Sequence, residues 1–232
     1  MKFYLDTDHP IALDSPDHIE PRSTARDNSV NLKFNAKLRQ LFTGYKASVL
    51  DLGCAGGGMV RSLIEEGHVA VGLEGSDYNL LHQRAEWATI SESLFTCDVT
   101  RPFVLHVGNG LPYQFDVITA WEFFEHIKEE DMPGLFNNIH DHLKQGGLLI
   151  GSICKSPSIW DKVDHHQTKA PWAWWEYLFN SEGFSRRPDF EAIIGKDWVR
   201  SVHFNFVMQG WYGMAYQVLN PMAAKRLDAL VA

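Results

Sequence analysis

Short apolar runs recur along this chain at the length of buried strands, and most of them end in a small or acidic residue. The clearest lie at 48–52, 69–74, 93–97, 114–120 and 147–153. Continuous apolar runs of this kind suit strands covered on both faces. Between them the apolar positions take up helical spacing, over 58–66, 77–88 and 130–144. In the last stretch Pro133 lies near the start, and Leu135, Ile139 and Leu143 share one face. This alternation predicts an α/β, doubly wound, mostly parallel sheet with helices on both faces. It lapses beyond residue 185, where Trp198–Val202 and Phe204–Met208 read as the arms of a C-terminal antiparallel strand pair. A helix through Phe34, Leu38 and Leu41 is expected to start at Asp27 or Asn28. Trp172, Trp175 and Phe179 have the spacing of a helix's buried face.

The length of 232 residues suits a single domain. Residues 1–45 read as an N-terminal cap segment with its leading helix, and 46–232 as the main, cofactor-binding part.

The first run passes directly into small residues: Ser48-Val49-Leu50-Asp51-Leu52-Gly53-Cys54-Ala55-Gly56-Gly57-Gly58. A strand that turns sharply into a helix, with bare backbone and unpaired N–H groups at the turn, is a nucleotide-cofactor site. The dinucleotide fingerprint G-x-G-x-x-G fits poorly, because Ala55 stands two positions after Gly53. Glu74 closes the second strand about 20 residues further along, where a carboxylate can accept from both ribose hydroxyls.

Five landmarks together resemble the class I S-adenosylmethionine-dependent methyltransferases. Asp51, Gly53 and Gly57 match that family's first motif, with Ala55 in place of its usual Gly. Glu74 and Asp98 fall at its second and third acidic positions. The run Phe115-Asp116-Val117-Ile118-Thr119-Ala120-Trp121-Glu122-Phe123-Phe124-Glu125-His126 resembles its fourth motif. Leu143-Lys144-Gln145-Gly146-Gly147 resembles its L-K-P-G-G turn. The resemblance spans roughly residues 46–153. It implies a seven-stranded sheet, the seventh strand antiparallel between the fifth and sixth, and S-adenosylmethionine as cofactor. The contacts it implies are Asp51, Gly53, Cys54, Ala55 and Gly57 at the turn, Glu74 and Gly75 at the ribose, Cys97, Asp98 and Val99 at the adenine, and Trp121 and Glu122 beside them. Arg22 or Arg26 could meet the methionine carboxylate, with plain solvated arginine as the alternative.

Composition narrows the acceptor. A formal charge of −8, without a Lys/Arg-rich run, argues against duplex nucleic acid as partner. No stretch has the length and apolarity of a membrane span, and Met1-Lys2-Phe3-Tyr4-Leu5-Asp6 lacks the apolar core of a signal peptide, so a cytoplasmic protein is expected. Cys54, Cys97 and Cys154 lack the spacing of a zinc site and read as small core residues. Asp6, Asp8, His9, Asp14, Asp17, His18 and Glu20 could gather around a divalent ion, but Pro10, Pro16 and Pro21 favour an extended loop, and no metal is expected.

Methyl transfer to a hydroxyl needs a base for the departing proton, most often His. The loop after the fifth strand carries His165 and His166, with Asp164 or Asp161 as an orienting carboxylate, and His126 after the fourth strand is the rival. Adjacent loop histidines are as readily plain polar surface. The expected activity is O-methylation of a small molecule, a sugar or glycan precursor or a secondary metabolite. The alternatives are N-, C- or RNA methylation, or cofactor binding without catalysis.

Overall fold

The computed structural model describes residues 1–43, 45–108, 110–200 and 203–211. In chain order the elements are β1 (Tyr4–Thr7), α1 (Pro16–Ile19), α2 (Leu32–Leu41), β2 (Ser48–Leu52), α3 (Gly58–Glu65), β3 (Val69–Glu74), α4 (Tyr78–Leu81), β4 (Leu94–Thr96) and β5 (Phe103–His106). There follow β6 (Phe115–Trp121), α5 (Met132–His142), β7 (Leu143–Ile153), β8 (Ile159–Trp160), β9 (Val163–Asp164), α6 (Trp172–Ser181), β10 (Phe184–Arg186), α7 (Pro188–Ile194) and β11 (Phe204–Gly210).

The seven-stranded sheet runs β10-β11-β7-β6-β2-β3-β4. From β7 to β4 the neighbours are parallel, while β11 pairs antiparallel with both β7 and β10. This is the predicted class, with an antiparallel strand inserted near the C-terminal edge. Both central strands are buried along their whole length, which is why β2 and β6 read as continuous rather than alternating runs. One face is covered by Phe34 and Leu38 of α2, Met59, Val60 and Leu63 of α3, and Ile194 of α7. The other is covered by Leu135, Phe136 and Ile139 of α5 and by Trp175 and Phe179 of α6. Each such side chain contributes about 1.5–3 kcal/mol on burial. A core of this size is what permits the polar site described below.

Three expectations need correction. The leading helix starts at Leu32, not at Asp27 or Asn28, because the Asn31 side chain caps it by accepting from Lys33 and Phe34 N–H. The 77–88 helix is a single turn, α4, followed by a 3₁₀ turn at Ala85–Ala88, broken where Gln83 and Ala85 adopt positive φ. Trp198–Arg200 form no strand; β11 pairs instead with Phe184–Arg186, and Ser201 and Val202 lie outside the described residues. Short β-rich runs beside Gly195 carry no local signal of which partner strand they will meet.

Sheet order reverses at β2, whose neighbours are β3 on one side and β6 on the other. The carboxyl ends of strands at such a point form a crevice. Residues 9–28 cross it as a strap. Asp98 N–H donates to His9 C=O at 2.9 Å, Ala12 N–H to Gly75 C=O at 2.9 Å and Gly56 N–H to Asp27 C=O at 3.1 Å. The Asn79 amide holds Thr24 C=O at 3.1 Å.

Candidate active site

Beneath the strap lies a cavity of about 690 Å³ over the carboxyl ends of β2, β3, β4 and β6. Its floor is the turn after β2. Gly53 has φ 71°, and a Cβ there would come within 2.8 Å of the Phe123 ring, so sterics and backbone both demand glycine. Ala55 has φ 44°, a conformation that costs an alanine about 1–2 kcal/mol. Two bonds hold it: its N–H donates to Glu74 Oε2 at 2.9 Å, and its C=O accepts from Trp87 Nε1 at 2.8 Å. Gly57, φ 85°, then opens α3.

Of the residues read as cofactor contacts, Gly53, Ala55, Glu74, Gly75, Cys97, Asp98, Val99, Trp121 and Glu122 line the cavity. Asp51, Cys54 and Gly57 stand behind it. The Asp51 carboxylate accepts from Thr119 Oγ1 at 2.6 Å, and Cys54 Sγ points back to where a Cβ on Gly72 would be only 2.6 Å away. Glu74 is buried at the cavity wall, with Oε1 accepting from Ser76 N–H at 3.1 Å and Oε2 from Ala55. Burial pushes its carboxyl up to about 7 despite those bonds, and burial does the same to Asp51, also to about 7. Asp98 Oδ1 accepts from Thr100 N–H at 3.0 Å and from Thr100 Oγ1 at 2.6 Å, which sets the carboxylate at the end of β4.

At the far side the cavity meets a histidine pair joined by one carboxylate. Asp17 Oδ2 lies 2.7 Å from His126 Nδ1, and Asp17 Oδ1 lies 3.0 Å from His165 Nδ1. The ligand atoms of these three fall within 4.8 Å of one another, an arrangement that could also hold a cation. Burial opposes charge on His126, yet the Asp17 bond and charge, with Glu125, outweigh burial and a weaker Arg200 effect and hold the imidazole above its ordinary pKa. Burial likewise opposes the Asp17 carboxylate, and the two histidines pull it down.

The three candidate bases are therefore sorted. His126 lines the cavity, whereas His165 and His166 do not. His165 is fully buried behind Asp17. His166 stacks edge-on against His126, ring centroids 4.8 Å apart, with Nδ1 held 2.5 Å from Ser156 C=O. Burial, then the His126 charge, lowers its pKa to about 4. The cause is the anchoring of their loop: Gln167 and Thr168 N–H both donate to Glu125 C=O, at 2.7 and 3.0 Å, and Cys154 N–H donates to Glu125 Oε1 at 2.6 Å. The expected orienting carboxylates are occupied elsewhere. Asp164 pairs with Lys169, and Asp161 sits in the positive-φ turn between β8 and β9. Asp17, from the strap, takes that place.

The aromatic loop divides similarly. Trp175 is fully buried, as the helical spacing predicts, while Trp160 lines the cavity and remains 40% exposed, with the Arg22 guanidinium 3.9 Å over its ring. Arg22 is thus engaged by Trp160, and Arg26 is not among the lining residues. Arg200, a cavity cation that the sequence did not reveal, binds Asp27 Oδ2 at 3.0 Å and Glu122 Oε2 at 2.9 Å.

The family model described as "Methyltransferase domain" matches residues 26–193, most of the chain. The chain belongs to the class I S-adenosylmethionine-dependent methyltransferases. A ubiquinone biosynthesis O-methyltransferase of Pseudomonas paraeruginosa is 26% identical over 115 residues, 47% of this chain and 46% of that protein. The chain spans about half the length of the curated relatives it matches. Among solved structures, an S-adenosylmethionine-dependent methyltransferase from Clostridium acetobutylicum superposes with a TM-score of 0.56 at 12% identity, covering 78% of this chain and 92% of that one. A sugar N-methyltransferase from a Streptoalloteichus species gives 0.55 at 12% identity, covering 83% and 91%. These two likenesses concern the fold.

The donor set of this methyltransferase fits the cofactor of its family. Each Glu74 oxygen accepts one backbone N–H and, having two lone pairs, keeps one acceptor site, so the pair of oxygens suits a vicinal diol. Among the described residues no helix is long and apolar enough to cross a membrane.

Proposed function

We propose that this protein transfers a methyl group from S-adenosylmethionine to a hydroxyl of a small molecule, with His126 as the base and Asp17 as its orienting partner. The observation that carries the reading is the His126–Asp17 contact of 2.7 Å on the wall of the cavity that also holds the cofactor turn. The cofactor, when bound, supplies a methyl on a positively charged sulfur. Glu74 takes the ribose hydroxyls, Asp98 with the Val99 backbone receives the adenine, and the Gly53–Ala55 turn lets the backbone come close. The strap covers the cavity and limits water, so the acceptor is held in line rather than diffusing. Asp17 accepts His126 Nδ1–H, which fixes the tautomer and leaves Nε2 to take the hydroxyl proton.

Trp160 and the polar rim of Ser158 and Gln167 favour a ring-bearing acceptor with hydroxyls, a sugar or a phenol. The O-methyltransferase relatives agree with a hydroxyl, and the sugar N-methyltransferase neighbour makes an amine the competing acceptor atom.

The test is transfer of labelled methyl from S-adenosylmethionine to matched panels of sugar, phenol and amine acceptors, with His126→Gln alongside. Methyl ethers as products, and turnover about 100-fold or more lower in His126→Gln with unchanged S-adenosylhomocysteine affinity, support the assignment. Methylated amines as the sole products would move the acceptor to nitrogen, and undiminished turnover in the variant would remove His126.

A further inference from the structure

We propose that Arg200, clasped between Asp27 and Glu122, is a subsite for the α-amino-carboxylate end of the cofactor, so that this chain selects ligands carrying that zwitterion over the bare nucleoside. This rests on the S-adenosylmethionine reading of the cavity and names a residue well outside the motifs that support it.

Sheet order sets the direction. Glu74 ends β3 and Asp98 follows β4, so an adenosine group placed by them lies over that side of the sheet. The remainder of the ligand must then extend across the β2 turn at Gly53 towards β6, whose last residue, Trp121, is followed by Glu122. Arg200 stands there, bonded to Glu122 Oε2 at 2.9 Å and to Asp27 Oδ2 at 3.0 Å. Gly56 N–H donates to Asp27 C=O at 3.1 Å, which places the clasp beside the cofactor turn. Arg101, another cation on the cavity wall, lies instead 4.0 Å from Asp98, on the adenine side.

The chemistry of the clasp matches an amino acid. A guanidinium carries five N–H donors, and two of the five are used by Asp27 and Glu122. The side chain is about one-third exposed, and Arg200 lines the cavity, so donors remain for a carboxylate. The flanking carboxylates offer acceptors to the neighbouring ammonium and offset the repulsion a lone guanidinium would exert on a sulfonium. Glu122 holds its place at φ 48°, an unusual conformation for a non-glycine residue at the mouth of a site. Arg200 thereby takes a role for which the sequence offered Arg22 or Arg26 as candidates.

The test compares calorimetric binding of S-adenosylhomocysteine with that of 5′-methylthioadenosine, which has the same nucleoside and lacks the amino acid. Arg200→Gln and Arg200→Lys are each measured against the unaltered chain. Arg200→Gln is expected to weaken S-adenosylhomocysteine by about 10- to 100-fold and to leave 5′-methylthioadenosine within about twofold, with Arg200→Lys in between. Equal weakening of both ligands means that Arg200 only holds the strap, and unchanged S-adenosylhomocysteine affinity means that it contacts nothing; either result overturns the proposal. If the unaltered chain binds neither ligand, the cofactor reading itself fails, an outcome distinct from both.

Discussion

Glu74→Gln tests the energetics of the site before any acceptor is known. Burial moves the Glu74 carboxyl from 4.5 to about 7 in the folded chain, and at 1.36 kcal/mol per pH unit that move corresponds to about 3 kcal/mol. The sign follows from proton counting. Between those two pH values the folded state holds a proton that the unfolded state has released, so stability is highest below 4.5 and falls as pH rises through 7. In Glu74→Gln that loss is absent. The amide has its own cost, because Ala55 and Ser76 N–H point at separate oxygens and one would meet the NH₂ group, leaving a donor unpaired for about 1–3 kcal/mol. That cost is the same at every pH.

The informative quantity is therefore a difference of differences. Urea unfolding of the ligand-free protein at about pH 5 and about pH 8 should show the variant gaining on the unaltered chain by about 3 kcal/mol between the two conditions. In thermal unfolding this appears as a relative gain of roughly 6–12 °C for a chain of this size. Asp51 adds to the effect, since its carboxyl, also near 7, is pushed up by the Glu74 charge as well as by burial, and relaxes when that charge is removed. Parallel stability curves for the two proteins would refute the argument, because they would mean that Glu74 is not charged at a cost in the fold. The same variant should bind S-adenosylhomocysteine about 10- to 100-fold more weakly, so stability above pH 7 and cofactor affinity move in opposite directions.

Three further outcomes are expected. Binding of S-adenosylhomocysteine near pH 7 should release protons, since ribose donors favour the Glu74 carboxylate; calorimetry in buffers of different ionisation heat reads this, and identical heats would count against the contact. In Asp17→Asn the apparent pKa limiting turnover at low pH should fall towards the ordinary histidine value. Burial and a weaker Arg200 effect oppose charge on His126, and Asp17 with Glu125 outweigh them, so loss of the Asp17 charge acts in that direction; an unmoved profile with normal cofactor binding would dissociate Asp17 from His126. Gly53→Ala should destabilise the chain by about 1–3 kcal/mol and abolish cofactor binding, because φ 71° and the Phe123 ring both resist a Cβ; an unfolding curve and a binding isotherm like those of the unaltered chain would show the turn to be slack.

The parts of the site that were legible in the sequence are those whose function depends on local geometry. A sharp strand-to-helix turn needs Gly53 at φ 71° and Gly57 at φ 85°, and Glu74, read as a strand-end carboxylate, does end β3 at the cavity wall. The mostly parallel α/β class was legible for a similar reason, since continuous apolar runs separated by helices suit strands buried on both faces, as β2 and β6 are. The antiparallel insertion near the C-terminal edge was implied only by the family resemblance. Asp17 was visible only as one of several acids in a Pro-broken loop, and nothing near it in the chain shows that His126 and His165 will close on it from more than a hundred residues away.

The same limit explains why His126 rather than His165 or His166 lines the cavity, and why nothing local marked Arg200. His165 and His166 have the more suggestive local setting, in a loop after a strand beside Asp164, but the loop is pinned by the backbone of Glu125 and leaves both buried behind the residues that line the cavity. His126 follows that same Glu125 and is left on the wall. Arg200 sits where an alternating pattern predicts a strand, yet the chain there answers to a contact with Asp27 of the strap rather than to a neighbouring strand. Asp17 and Asp27 thus belong to one segment that both covers the crevice and supplies a carboxylate to each end of it. Displacing the strap would therefore remove a hydrogen-bond partner of His126 and an ion-pair partner of Arg200 together.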